Sequence, residues 1–318
     1  MKLPNPHDAF EAALHTLPCP GGNGYHTALL GVANRGIIAG VDPAELFRLI
    51  RAHTPQGGRN VPDHEIREAV EKAARECPTV PWRAKVRQNN RSFDSTAFMA
   101  ERLREAHGIG EADIVEASPI RLDNEPPQDA VVLLQTLYRP DDFLFIGGSK
   151  EAGNPGETIR SRDEWLALFA GGGTPGPHII PNPLTGRIGR TKSGNLSHRS
   201  DSCVAQFRFA VAEFDGLPKE QQYHFWYAVN LPVTALIDSG GKSLHAWIAI
   251  DGVTTADAWT TSVEETLFAV YLNKLGVDSS CRNESRLSRM AGHQRSETGR
   301  WQRILFLAPE GRAIHESH

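Results

Sequence analysis

The sequence predicts an α+β protein, with a mixed, mostly antiparallel sheet core preceded by a smaller all-helical N-terminal domain. Three observations predict it. Residues 1 to about 80 carry apolar residues at helical spacing. After about residue 92, short apolar runs alternate with helical segments. Two of those runs are joined by a Ser-Gly-Gly turn, too tight for a parallel crossover. A chain of 318 residues is long enough for two domains.

In the N-terminal part a helix is expected over Tyr25 to Ile38. Asp42-Pro43-Ala44-Glu45 starts the next, with an acceptor at the N-cap, proline in the first turn and glutamate at the third position. Leu46, Leu49 and Ile50 then follow at helical spacing. Gly57-Gly58 and Pro62 break the chain before a helix from Asp63, which has Ile66, Val70 and Ala73 on one stripe. Cys77-Pro78-Thr79-Val80-Pro81 closes this domain, placed at residues 1–80. Residues 81–109 read as a basic linker and a helix near Ser95 to His107. The linker holds Arg83, Lys85, Arg87 and Arg91 without an acid, either a solvated face or a phosphate-contacting strip.

Residues 110–318 form the α+β domain. Val131 to Tyr138 and Phe143 to Ile146 read as strands, and Arg162-Asp163-Glu164-Trp165 starts a short helix. Gly171 to Asp201 is a loop-rich insertion with Arg187, Arg190, Lys192, His198 and Arg199, and no acid before Asp201. A loop of that length is usually functional or disordered. Gln206 to Asp215, Leu236-Ile237, His245 to Asp251 and Ile304 to Ala308 read as strands. Ala256 to Leu275 reads as an amphipathic helix with Val263, Leu267, Val270 and Lys274 in register.

The net charge of −4 excludes a uniformly basic nucleic-acid coat protein, yet leaves room for a local basic patch. Cys19, Cys77, Cys203 and Cys281 are scattered, with no C-x₂₋₄-C pair, so neither a zinc ribbon nor an iron–sulfur cluster is expected. No apolar signal region opens the chain, and no run reaches the roughly 18 residues of a membrane span. A cytoplasmic protein without a membrane partner is the expectation.

Three segments carry chemistry. Glu213 and Asp215 end an apolar strand. Strand alternation puts them on one face, with Cα atoms about 6.6 Å apart. Two such carboxylates can hold divalent ions, and an acidic strand end facing water has the same pattern. Ser239-Gly240-Gly241-Lys242-Ser243, followed by His245, joins small residues to side-chain donors, as an anion site requires. It is not a P-loop, because the first glycine of that motif is Leu236 here and a strand follows the turn. Asp278 leads an arginine-rich segment with Arg282, Arg286, Arg289, Arg295, Arg300 and Arg303, either phosphate forks or a solvated loop.

Acid-x-acid at a strand end, then S-G-G-x-x-x-H, then an apolar residue and Asp followed by S-R-L-S-R, resembles the archaeo-eukaryotic primase superfamily. It is most similar to the primase-polymerases of phages, plasmids and other mobile elements. The resemblance spans roughly residues 110–310 and implies an RRM-like catalytic core. It implies that Glu213, Asp215 and Asp278 are the metal-binding acids. It likewise implies that Ser239, Gly240, Lys242, Ser243 and His245, with Arg286 and Arg289, bind the incoming nucleotide. The first motif is most often D-x-D or D-x-E, and the extra methylene of Glu213 moves its carboxylate.

The activity implied is primer synthesis, and possible extension, on single-stranded DNA by two-metal nucleotidyl transfer from nucleoside triphosphates. Two Mg²⁺ or Mn²⁺ ions suit an all-carboxylate site. Arg187, Arg190, Lys192, Arg199 and Arg295 are the expected DNA contacts, and unwinding falls to a separate helicase. Two rival readings use the same residues: a primase-like replication initiator that binds DNA and recruits a helicase, and a metal-dependent nuclease.

Overall fold

A computed structural model of the chain describes residues 6–21, 24–39, 41–55, 57–76, 94–122 and 125–317. The basic stretch at 83–91 and Cys77 lie outside the described residues. The chain divides into two compact units, Met1–Phe93 and Asp94–His318.

The first unit contains helices α1 (Pro6–His15), α2 (Tyr25–Ile38), α3 (Pro43–His53) and α4 (Asp63–Glu76). The Asp42 carboxylate caps α3, accepting from the amides of Ala44 at 2.9 Å and Glu45 at 3.2 Å. Phe10, Leu29, Ile37, Leu46, Ile50 and Ile66 share the core. Gly36 permits close helix packing: a Cβ there would lie 2.3 Å from a Leu46 methyl.

The second unit opens with α5 (Ser95–Glu105), α6 (Glu111–Glu116) and α7 (Asp129–Leu137). The helix α7 corrects the strand expected over Val131 to Tyr138. The run is almost wholly apolar, so its period does not separate a buried helix from a buried strand. Asp129, Ala130, Leu133 and Leu134 are its buried residues, the i, i+1, i+4, i+5 set of one helix face. There follow β1 (Phe143–Gly147), β2 (Ile159–Ser161) and α8 (Arg162–Ala170), the last capped by a Ser161–Glu164 box.

Within the 171–201 insertion lie β3 (His178–Ile179) and the small hairpin β4 (Gly189–Arg190)–β5 (Leu196–Ser197). Then come β6 (Phe209–Glu213), α9 (Lys219–Ala228), β7 (Val233–Asp238), β8 (Leu244–Ala249), β9 (Ser288–Arg289) and β10 (Arg303–Arg312).

The helix expected over Ala256 to Leu275 is present but changes type. Only Ala256–Trp259 is α-helical; Thr260–Tyr271 is a π-helix and Leu272–Leu275 a 3₁₀ turn. Trp259, Val263, Leu267 and Tyr271 are buried at four-residue intervals, whereas Val270 is exposed. The wider turn of i→i+5 bonding rotates Val270 off the stripe that a 3.6-residue period assigns it.

Two antiparallel sheets share a core. One has strand order β10-β7-β8-β6 and the other β2-β1-β3-β9. Between them pack Leu144, Ile146, Ile179, Val211, Ile237, Trp247, Met290 and Leu307, with Leu133 and Leu134 of α7. Every residue of β7 and β8 is buried, so both faces of that sheet centre are covered. No helix among the described residues is long and apolar enough to cross a membrane.

Candidate active site

Strand β6 ends on Glu213, and the antiparallel register places His245 of β8 directly beside it. The Nε2 of His245 stands 3.0 Å from Glu213 Oε2, off the hydrogen-bonding direction. The ring is 4% exposed, and its Nδ1 is buried without a hydrogen-bond partner. After the long helix the chain returns to β6: Phe214 bridges Val277, and the Asp278 amide donates to the Glu213 carbonyl at 2.9 Å. That backbone bond brings the second carboxylate to the first. Asp278 also caps the 3₁₀ turn Ser279–Arg282, accepting from the Ser280 amide at 2.9 Å and from the Ser280 hydroxyl.

Arg286 sits on both acids. Its Nη2 is 2.7 Å from Glu213 Oε1 and 3.4 Å from Asp278 Oδ2. Its Nη1 donates to Ser280 Oγ at 3.0 Å. Burial pushes the Glu213 carboxyl up, but His245 and Arg286 outweigh it and hold the group at about 2. Burial likewise opposes ionisation of Asp278, and the Ser280 hydroxyl and amide overcome it. Both groups are therefore carboxylates at neutral pH.

The metal-ligating side chains that converge among the described residues are Glu213, Asp278 and Cys281, whose ligand atoms all lie within 4.8 Å of one another. Asp215 is not one of the three. It lies in a bend two residues past the end of β6 and is exposed, and its carbonyl accepts from Lys242 Nζ at 3.4 Å.

The Ser239–Ser243 segment turns β7 into β8. Ser239 Oγ accepts from the amides of Gly241 at 3.2 Å and Ser243 at 3.3 Å, and Asp238 accepts from the Gly240 amide at 2.9 Å. Gly240 has φ +64°, open to glycine without strain. Arg295 packs on this turn: a Cβ on Gly241 would stand 2.7 Å from Arg295 Nη1. Thr298, in the same loop as Arg295, donates to the Gly240 carbonyl at 3.4 Å. Arg289 is paired across β9–β3 with His178. Burial and the nearby charges of Arg289 and His245 push His178 down to about 4. Arg289 is itself lowered, first by burial and then by Arg295. Arg289 and Arg295 thus bring positive charge to the side of the site where His178 and His245 lie.

The expected DNA contacts divide. Arg187, Arg190 and Lys192 lie on or beside the β4–β5 hairpin, where Arg190 donates to the Gly194 carbonyl at 2.9 Å and Lys192 is 3.4 Å from Asp201. Arg199 turns inward, with its guanidinium 4.9 Å over the Phe145 ring and a 2.7 Å bond to the Ser149 carbonyl.

No family model and no curated protein matches the chain. Among solved structures it is similar to the AEP domain of the primase-polymerase of cyanophage S-2L. The two are 17% identical over 60% of this chain and 95% of that one, with a TM-score of 0.39.

Three residues at or beside the site stand outside the sequence motifs. Cys281 follows Asp278 by three positions, a spacing that one helical turn closes, and it is the signal that was available. His178 has no local signal, because its place depends on β3 lying between β1 and β9. Asn182 sits between two prolines and is 1% exposed, and its side chain bonds Phe209 and the Glu284 carbonyl.

Proposed function

We propose that this chain is a primase-polymerase that joins nucleotides on a single-stranded DNA template. The observation that supports it is the convergence of Glu213 and Asp278 from distant segments, beside His245 and a cationic group on a glycine turn. Divalent ions fit the donor set. The carboxylates are ionised, and a cationic guanidinium already rests on them. Bound there, Mg²⁺ or Mn²⁺ supplies the charge that activates a primer 3′-hydroxyl and steadies the leaving pyrophosphate.

In this reading Glu213, Asp215 and Asp278 hold the two ions. The Ser239–Ser243 turn, with Lys242 and His245, receives the triphosphate of the incoming nucleotide. Arg286 and Arg289 add bidentate donors for phosphate oxygens. Arg295, packed on that same turn, joins them rather than the template. The β4–β5 hairpin, with Arg187, Arg190 and Lys192, holds template phosphates.

The test is oligonucleotide synthesis on single-stranded DNA with nucleoside triphosphates and Mg²⁺ or Mn²⁺. Product is expected from the wild type. Asp278→Asn, Glu213→Gln and Asp215→Ala should each lower the rate by about 100-fold or more while the circular dichroism stays native. Triphosphate affinity should fall in His245→Ala, which a nuclease using the same acids does not require. A folded wild type that makes no product, with triphosphate binding indifferent to His245, overturns the proposal.

A further inference from the structure

Cys281 is fully buried on the 3₁₀ turn that Asp278 caps. Its Sγ is 3.7 Å from Glu213 Oε1 and 3.7 Å from Asp278 Oδ2. A tetrahedral ion with metal–sulfur bonds of about 2.3 Å and metal–oxygen bonds of about 2.0–2.2 Å sets sulfur and oxygen roughly 3.6 Å apart. The observed spacing is therefore that of a ligand edge.

Two further observations point to a cation at this place. The Arg286 guanidinium contacts the same two oxygens, Glu213 Oε1 and Asp278 Oδ2, that Cys281 contacts. Its Nε is buried without a partner, so the arginine fills the place imperfectly. His245, 4% exposed, points Nε2 at the other Glu213 oxygen from 3.0 Å without a hydrogen bond.

We propose that Cys281 is a ligand of the divalent ion held by Glu213 and Asp278, so that this site is a mixed carboxylate–thiolate centre for a borderline-soft cation. Thiolate favours Zn²⁺ or Cd²⁺ over the hard, oxygen-seeking Mg²⁺. On loading, the S–H bond breaks and a sulfur–metal bond forms. The proton leaves to the buffer, and no electron is transferred. Arg286 gives up the two oxygens and becomes available to an anion. The inference rests on the reading that Glu213 and Asp278 hold a metal, and it adds the sulfur.

Cd²⁺ is the probe. The full chain carrying Cys19→Ser and Cys77→Ser, which leaves Cys203 and Cys281 as its thiols, is titrated with Cd²⁺. The ultraviolet thiolate-to-cadmium charge-transfer band is followed. The band is expected, and it should persist with Cys203→Ser added and vanish with Cys281→Ser added. Serine keeps a donor to the carboxylates, so a merely structural thiol predicts an unchanged metal affinity. A ligand predicts a loss of Cd²⁺ affinity on the order of tenfold or more, with Mg²⁺ affinity nearly constant. If Cys281→Ser fails to fold, cadmium NMR of the chain with Cys281 intact decides, because sulfur ligation moves the resonance far from that of an all-oxygen site. A band that survives Cys281→Ser, or an all-oxygen cadmium resonance, overturns the proposal. Oligonucleotide synthesis without the band sinks the thiolate ligand alone, and the band without synthesis sinks the polymerase reading alone.

Discussion

A histidine packed among cations has little room for another proton. His178 faces Arg289, His245 and His293 and lies against the Gly147 backbone, and burial with these charges pushes it down to about 4. The unfolded value is near 6.5, so between those values the unfolded chain binds the proton and the folded one does not. Stability is then unaffected above about pH 6.5 and is lost progressively as pH falls toward 4, by on the order of 2–3 kcal/mol. His178→Gln removes that loss. Urea denaturation at several pH values should show the wild type weakening more than His178→Gln between about pH 6.5 and 4, with the gap closing above that window. Parallel curves across the window would remove His178 as the cause. In the nucleotide complex proposed above, phosphate charge would offset Arg289 and Arg295, and His178 would then accept a proton more readily.

At the scale of elements, Asn182 braces the site. Its amide donates to the carbonyls of Phe209 at 3.0 Å and Glu284 at 2.9 Å, and its oxygen accepts from the amides of Arg208 at 2.7 Å and Phe209 at 2.8 Å. One side chain thereby ties the start of β6 to the loop that leads into β9. Asn182→Ala strands four backbone groups, three of them buried, and should cost about 3 kcal/mol or more, read as a lower midpoint in denaturant at an unchanged slope. Local signals of this kind explain what the sequence made legible. Asp42 and the Ser239–Ser243 turn act within a few residues; α3 starts where its Asp42 cap places it, and α8 starts at Arg162 as expected. Val131 to Tyr138 was not legible as a helix, because an apolar stretch buried on most sides has no polar phase to mark its period. The π-helix was not legible either, since the step from i→i+4 to i→i+5 bonding is decided by packing around Trp259, Leu267 and Phe268.

Across the whole molecule the charge of −4 conceals segregation. Glu213 and Asp278 are paired with Arg286, while Lys242 and Arg295 gather at the Ser239–Ser243 turn, with Arg289 near Arg295. A chain that grips DNA through the basic side chains of the β4–β5 hairpin, as proposed, releases counterions. The logarithm of its affinity for single-stranded DNA should fall linearly with the logarithm of salt, with a slope of about −0.7 per phosphate contacted. Arg187→Ala and Arg190→Ala should each make that slope shallower by roughly one contact, and a flat salt response would remove the hairpin as a template surface. Glu213, Asp278 and His245 stand in the sequence as separate motifs, and their convergence depends on pairings between segments far apart in the chain. One of those pairings has a second consequence. Strand β6 is the last of its sheet, and its outer side offers unpaired backbone groups of the kind that recruit a strand from another molecule. Asn182 closes that side at Phe209, and the amide of Asp278 closes it at Glu213. The loop that delivers a carboxylate to the site is therefore also the guard of an open sheet edge. A substitution that frees this loop should produce fibrous or dimeric misassembly as well as an inactive protein.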